Sequence, residues 1–313
     1  MNGVAVVFNP SKISLSRLKE SLSRAGVAEV PVFASDPETN GELAGQEAIA
    51  LGAKLILVVG GDGTIRGVTQ SVIASGADVS LGLIPIGTGN VLARNLKLPI
   101  GNLDKAFKRA LEGNPYQVDL GVAKSFDGDG SLHTYYFTGI AGVGMDARIM
   151  QRTQPALKRR VGWIAYIDGG LRSLPLKFEK FDVTVDEAST RTLKSYTILV
   201  GNAGWLPGQI SMMPDARLDD SRLDVAAIGP RRLFNWVDFL SRITWQNRVV
   251  RPLALGRKWM DETANLKTME NLNGSRIHIR PHQPTPMQLD GDVIGEVREV
   301  EFSVRPSGLT INL

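Results

Sequence analysis

LILVVGGDGT, residues 55–64, decides how this chain is read. KLILVV (54–59) is a continuous apolar run rich in β-branched side chains, as expected of a strand buried on both faces. Gly60, Gly61, Asp62, Gly63 and Thr64 follow at once, and Ile65 to Ala74 has helical spacing. In an open α/β sheet, ligands bind just beyond the carboxyl ends of the strands. Glycines there let backbone N–H groups approach a phosphate, and the following helix N-terminus favours an anion. Thr64 is placed to cap that helix or to bond a phosphate oxygen. Asp62 is the odd member, because a carboxylate beside phosphates repels them unless a cation intervenes. It therefore points to Mg²⁺, bound directly or through water. The plainer alternative is a tight strand-to-helix turn with Asp62 as a local cap.

The same arrangement recurs downstream. SLGLIPI (80–86) reads as a strand, Gly87, Thr88, Gly89 and Asn90 as a loop, and VLARNL as the start of a helix. One helix and one strand separate the two loops, so the two strands are expected to be neighbours with both loops on one sheet edge. Two phosphate-friendly loops side by side suit a triphosphate better than one. Thr88 and Asn90 supply hydrogen bonds, and Arg94, one turn in, reaches toward an anion.

Outward from this pair, the first third alternates strand and helix. GVAVVF (3–8) and EVPVFA (29–34) read as strands, and Ser14–Ala25, Gly41–Leu51 and Asp104–Glu112 as helices. That order predicts a parallel sheet with helices on both faces, a three-layer α/β domain over 1–118. From about Val118 the period changes to short alternating runs: VDLGVAK, TYYFTGIAGVG, FDVTVDE, TLKSYTILVGN, RLDVAAIG, RIHIRP and VEFSVRP. These predict an antiparallel, sandwich-like domain over 119–297, with helical patches near 157–173 and 233–248.

Two acidic motifs lie in that second part. PMQLDGDVIGEV (286–297) carries Asp290, Gly291 and Asp292. Asp-Gly is a common short hairpin signal. As chemistry, one carboxylate helps bind Mg²⁺ while the other accepts a proton from an attacking hydroxyl across an interdomain cleft. DARLDDSRLDV places Asp215, Asp219, Asp220 and Asp224 before a strand, either a solvated turn or a site for a structural Mg²⁺ or Ca²⁺. In WLPGQISMMP (205–214), the Met pair and Trp205 either pack a core or line a lipid pocket, and a core is the commoner use.

Composition bounds the chemistry. The 313 residues contain no Cys, which excludes disulfides, thiolate metal sites and a Cys nucleophile. Three scattered His disfavour an imidazole-held metal, leaving a hard ion on oxygen. Thirty-six basic against thirty-two acidic residues give a net charge of +4, which is no polycation, and nucleic acid is not an expected partner. No run of about 18 apolar residues occurs, and the N-terminus lacks a basic leader, so the expected location is cytoplasmic.

Taken in order, VVFNP (6–10), GGDGT (60–64), PIGTGN with Ala93 and Arg94, GVGMD (142–146), KRRVGWIAY (158–166), PDARLDDSRLDV (214–225) and LDGD (289–292) resemble the soluble bacterial lipid kinases. These share a catalytic domain with diacylglycerol, sphingosine and ceramide kinases. The resemblance covers nearly the whole chain. It implies an ATP-binding N-terminal domain joined by 298–313, a lipid-binding β-rich domain, and a phosphotransferase using ATP and Mg²⁺. It implies that Asn9, Gly60–Thr64 and Gly87–Asn90 surround the nucleotide, that Asp62 organises the catalytic Mg²⁺ network, and that Asp292 is the general base. It further implies a structural Mg²⁺ on Asp220 and the backbone carbonyls of Arg217 and Arg222.

This chain departs from the family pattern at four places. Val91 stands where members often have Asp, Asp292 replaces Glu, Ser221 replaces Gly, and VGNAGWLPGQ lacks the usual Gly triplet. A lipid kinase must reach a bilayer, and Lys158, Arg159, Arg160, Arg231 and Arg232 are candidates for headgroup contact. A symmetric homodimer is the default expectation. Two alternatives stay open: a NAD-kinase-like enzyme, because the GGDG loop is shared, and a nucleotide- or lipid-binding regulator without catalysis.

Overall fold

Each apolar strand of the first third has helices on both sides, and its alternate residues divide between them. The computed structural model describes residues 3–126, 131–144, 178–206, 210–228 and 269–313. The first elements are β1 (Val4–Phe8), α1 (Leu15–Arg24), β2 (Val32–Ala34), α2 (Glu42–Ala50), β3 (Leu55–Gly60), α3 (Asp62–Ser75), β4 (Ser80–Pro85), α4 (Val91–Asn95) and α5 (Leu103–Glu112). Val6, Phe8, Leu57, Val59 and Ile84 pack with Leu18 and Leu22 of α1 and Phe107 of α5. Ala5, Val7, Ile56, Val58, Leu81 and Leu83 pack on the other face with Ala44 of α2 and Ile65, Val68 and Val72 of α3. That division is why KLILVV is apolar throughout. Each fully buried Leu, Val or Phe stabilises the layers by about 1.5–3 kcal/mol.

The strands that follow are β5 (Pro115–Phe126), β6 (Leu132–Phe137), β7 (Ile140–Gly144), β8 (Glu179–Val185), β9 (Arg191–Ser195), β10 (Thr197–Gly201), β11 (Trp205–Leu206), β12 (Ile210–Ser211), β13 (Leu223–Ile228), β14 (Met269–Gly274), β15 (Arg276–Pro281), β16 (Thr285–Leu289), β17 (Asp292–Val297) and β18 (Glu299–Asn312). Among the described residues, ten strands form one mixed sheet in the order β2-β1-β3-β4-β18-β15-β8-β9, with β5 also paired to β18 and to β6. The parallel order predicted for the first third holds from β2 through β4. The sheet does not end there. Thr310 and Ile311 of β18 run parallel to Ser80 and Leu81 of β4, while earlier residues of β18 pair antiparallel with β15 and β5. Residue 118, where the period of the sequence changes, lies inside β5.

A second sheet, β14-β13-β10-β7-β16-β17, covers the far half of the first. Phe137, Phe181, Val183, Ile277, Ile279 and Phe302 from the large sheet meet Val143, Ile198, Val200, Leu223, Val225 and Met287 from the small one. Two stretches with a single strand-like pattern turn out to be sandwich corners. TYYFTGIAGVG breaks at Thr138-Gly139, where the chain passes from β6 in the large sheet to β7 in the small one. TLKSYTILVGN breaks at Tyr196 between β9 and β10 in the same way. Alternation alone does not mark a corner, because both halves keep a buried face.

The expected helical patches at 157–173 and 233–248, and the basic residues Lys158, Arg159, Arg160, Arg231 and Arg232, lie outside the described residues. The same holds for Met145 and Asp146 of GVGMD. Met212 and Met213 are buried in a satellite cluster with Ile140, Leu199 and Leu206, against which Val91 packs, so the Met pair serves as core. No helix among the described residues is long and apolar enough to cross a membrane.

Candidate active site

Parallel strands end on one edge, and here that edge gathers both glycine loops. β3 and β4 are direct neighbours, with Gly60 opposite Pro85. The Ile86 N–H donates to the Gly60 carbonyl at 2.9 Å. The loops then touch backbone to backbone. A Cβ on Gly87 would lie 2.6 Å from Gly61 Cα, so only glycine permits this approach. A Cβ on Gly60 would strike the Thr64 side chain at 2.6 Å. Thr64 is buried in the first turn of α3, and its Oγ1 lies 3.4 Å from Asn9 Nδ2, which brings the end of β1 into the same group.

Asp62 is the first residue of α3, yet it caps a different helix. Its Oδ2 accepts the Asn90 N–H at 2.7 Å and its Oδ1 the Val91 N–H at 2.6 Å, at the start of α4. One carboxylate thus ties the first loop to the second, a role no local turn analysis reveals. Burial, and next the charge of Asp290, push its carboxyl up to about 6 against the pull of those two N–H bonds. Asn90 is fully buried with a left-handed backbone at φ +50°. Its amide clamps Gly87 from both sides, accepting the Gly87 N–H at 3.0 Å and donating to the Gly87 carbonyl at 2.7 Å. Thr88 is exposed at the loop tip, and Arg94 Nε donates to the Gly89 carbonyl at 2.8 Å. Arg94 therefore shapes the loop instead of reaching for a ligand with that nitrogen.

The third motif arrives from the sandwich. β16 and β17 form a hairpin with Asp290 and Gly291 as its turn, both at positive φ (+50° and +91°). Asp-Gly meets that demand without a bulky Cβ. Asp290 docks into the corner between β6 and β7, where its carboxylate accepts N–H bonds from Thr138 (2.9 Å), Gly139 (2.8 Å) and Ile140 (3.1 Å). Burial raises its carboxyl despite those bonds. Asp292 projects the other way. Its Oδ2 lies 3.3 Å from where a Cβ on Gly63 would sit and 2.5 Å from Arg66 Nη2 on α3. The hairpin of the sandwich therefore closes onto the first glycine loop. Asp62, Asp290 and Asp292 come together here with Asn9, Gly60, Gly61, Gly63, Thr64, Gly87 and Asn90.

The acidic turn stands apart. Ser221 takes the left-handed conformation at φ +58°, the backbone demand that a glycine meets more cheaply. Asp220 Oδ1 accepts the Arg222 N–H at 3.1 Å, and Asp219 accepts Tyr116 Oη–H at 2.7 Å and Arg217 Nε–H at 3.2 Å. Burial, then Asp220 and Asp215, push the Asp224 carboxyl up to about 6. The turn thus carries more negative charge than its own cations offset. Among the described residues no three His, Asp or Glu side chains are grouped as a metal site, so an ion here would rely on backbone carbonyls and water.

Several organising residues escaped the sequence reading. Arg66 hides in an ordinary amphipathic helix, although its i+4 relation to Asp62 puts both on the same side. Asp119 sits in the apolar run VDLGV, and a lone buried carboxylate there signals a paired one. It is 3% exposed and accepts the N–H groups of Ser221 at 2.6 Å and Ser307 at 2.8 Å. Asn95 exchanges bonds with the Trp205 backbone at 2.9 and 3.1 Å, tying α4 to β11.

Comparison with known proteins agrees with this layout. The profile described as diacylglycerol kinase catalytic domain matches residues 5–123, and that described as YegS C-terminal NAD kinase beta sandwich-like domain matches 139–313. The chain is 23% identical over 299 residues to a diacylglycerol kinase of Staphylococcus carnosus, covering 93% of this chain and 89% of that one. A crystal structure of a diacylglycerol kinase from Bacillus anthracis superposes with a TM-score of 0.74 at 20% identity, over 99% of this chain and 96% of that one. An NAD kinase from Archaeoglobus fulgidus in complex with ATP shares the fold more distantly, with a TM-score of 0.53 at 14% identity, over 99% and 93% of the two chains. The α/β layer with its paired glycine loops, closed by a sandwich hairpin, is thus the framework of a lipid kinase, an enzyme that transfers a phosphoryl group to an alcohol, and the chain, with its match to the diacylglycerol kinase catalytic domain in the first lobe, belongs to the family of the YegS C-terminal NAD kinase beta sandwich-like domain.

Proposed function

We propose that the chain transfers the γ-phosphate of ATP, with Mg²⁺, to the hydroxyl of diacylglycerol or a related membrane lipid. The observation that carries this reading is the meeting of Asp292, from the sandwich, with the glycine loop at Gly63. It puts an accessible carboxylate where an acceptor held by one lobe meets a phosphate held by the other. The nucleotide lobe is 1–118 with 298–313, and the lipid lobe is 119–297.

Asn9, Gly60–Thr64 and Gly87–Asn90 hold the nucleotide, with the N-terminus of α3 favouring its phosphates. Asp62 keeps the two loops in register, and Asp290 fixes the hairpin turn that presents Asp292. The donor set suits Mg²⁺: it is oxygen only, and Asp290 lies near enough to Asp62 for its charge to add to the effect of burial in raising the Asp62 carboxyl. Mg²⁺, when bound, neutralises charge on the transferring phosphoryl group. In the chemical step the acceptor hydroxyl gives its proton to Asp292, its oxygen bonds to the γ-phosphorus, and the bond to the β-phosphate oxygen breaks, leaving ADP. The transition state is loose, so positioning and electrostatics do most of the work. On the acidic turn, Asp220 with the carbonyls of Arg217 and Arg222 is the set that would hold a second, structural Mg²⁺. Because the acceptor lies in a bilayer, the enzyme works at the membrane surface.

The test is transfer of labelled γ-phosphate from ATP to a panel of lipids in mixed micelles with Mg²⁺, with Asp62→Ala and Asp292→Asn as controls. A labelled lipid that vanishes in both variants supports the reading. Tight Mg·ATP binding without any labelled lipid turns it toward a regulator, and labelled NAD turns it toward the NAD kinase alternative, which the shared fold motivates.

A further inference from the structure

Arg66 stands one turn after Asp62 on α3, and its partner Asp292 is 226 residues away in the chain. Its Nη2 donates to Asp292 Oδ2 at 2.5 Å. The Arg66 side chain is 15% exposed and that of Asp292 40%. This is not an exposed ion pair with two free ends, because α3 holds one of them. Arg66 Nε is buried and meets no acceptor among the described residues, so the guanidinium stays beside the carboxylates despite that cost. Its charge acts on Asp290 as well. Asp62 and Asp290 are held by backbone amides, whereas Arg66 is the partner of Asp292.

A base acts only within hydrogen-bond reach of the proton it takes. An Asp side chain at the first position of a strand turns about two torsions, and a misplacement of about 1 Å can lower a rate by about 10²-fold. A guanidinium donates from a rigid plane, here through Nη2, whereas a lysine ammonium is a point charge on a flexible stem. We propose that Arg66 is the positioning residue for Asp292, a cross-lobe latch that aims the base and registers the sandwich hairpin against the nucleotide lobe. This rests on the reading of Asp292 as the base.

The test uses the full chain with dioctanoylglycerol mixed micelles and Mg·ATP, and compares Arg66→Gln, Arg66→Lys and Asp292→Asn singly and combined. Hydrogen–deuterium exchange over 288–294, without nucleotide, should rise in Arg66→Gln and rise less in Arg66→Lys. Arg66→Gln should lower kcat by about 30-fold with KM for Mg·ATP within about threefold, and Arg66→Lys should restore part of the loss. On the Asp292→Asn background, Arg66→Gln should change the residual kcat by less than about twofold, because no base is left to aim. Unchanged exchange in Arg66→Gln overturns the latch. An equal loss of kcat on both backgrounds overturns the positioning role, as does Asp292→Asn losing activity while Arg66→Gln keeps it. Wild-type turnover in Asp292→Asn overturns the base reading and the latch's purpose with it.

Discussion

Asn90 shows how much one side chain does at this site. A β-amide is the shortest group that both tolerates a left-handed backbone and reaches back three residues to clamp Gly87. Replacing it by Ala removes both bonds, leaves the half-buried Gly87 groups without these partners and keeps the strained φ. Asn90→Ala should therefore lose about 2–4 kcal/mol in urea unfolding and weaken Mg·ATP binding measured by calorimetry. The Asn90→Gly variant relieves the backbone strain and should recover about 1 kcal/mol of that stability, but not the affinity. Asp62 carries a related lesson. GGDG reads as a phosphate loop with Asp62 as its odd member, but the two N–H groups its Asp accepts belong to residues 28 and 29 positions later.

Between elements, the contact of the two glycine loops is a backbone-to-backbone constraint. A methyl on Gly87 meets the backbone of Gly61 at 2.6 Å as well as Asn90 Oδ1 at 2.7 Å. Gly87→Ala must push the ends of β3 and β4 apart. Mg·ATP affinity should drop by about tenfold or more, a loss of about 1.4 kcal/mol. A variant that binds nucleotide normally would show that the loops need not touch. Far from the site, the turn after β8 offers a clean pH test. Asp186 accepts N–H groups from Ser275 and Arg276, each at 2.9 Å, and the Arg276 backbone bond leads in holding its carboxyl below the ordinary value. The folded state thus binds this proton less tightly than the unfolded chain. The contact's stability is present above the usual carboxylate range and fades as pH falls through the lowered folded value. Asp186→Asn, which keeps the side-chain size and tolerates the positive φ, should melt below wild type at pH 7, and the gap should narrow as pH falls below the ordinary carboxylate range.

At the scale of the molecule, β18 joins everything: it lies beside β4 at one end, β15 at the other and β5 throughout. Asp119, on β5, holds the break in that strand at Ser307 and the acidic turn at Ser221, while its carbonyl accepts the Asn202 amide at 2.7 Å. Asp119→Ala orphans two N–H groups at a junction of several elements, and should lose about 2–4 kcal/mol while broadening the unfolding transition. Asp119→Asn keeps the volume and one acceptor, and should lose about half as much.

What could be read along the chain was whatever depends on near neighbours. The apolar run 54–59, the glycines after it, the repeat of both at 80–90 and the Asp-Gly hairpin each follow from local periodicity and backbone freedom. They sufficed for the layered α/β fold and for the sheet edge where both glycine loops meet. Folding alone made the pairings whose partners are far apart in sequence. TYYFTGIAGVG becomes a corner because the Asp290 carboxylate waits there, Asp62 caps a helix two elements away, and Arg66 meets Asp292 across the lobes. None of these leaves a local signal, because a carboxylate's partner is set by where the strands stack and not by the residues beside it.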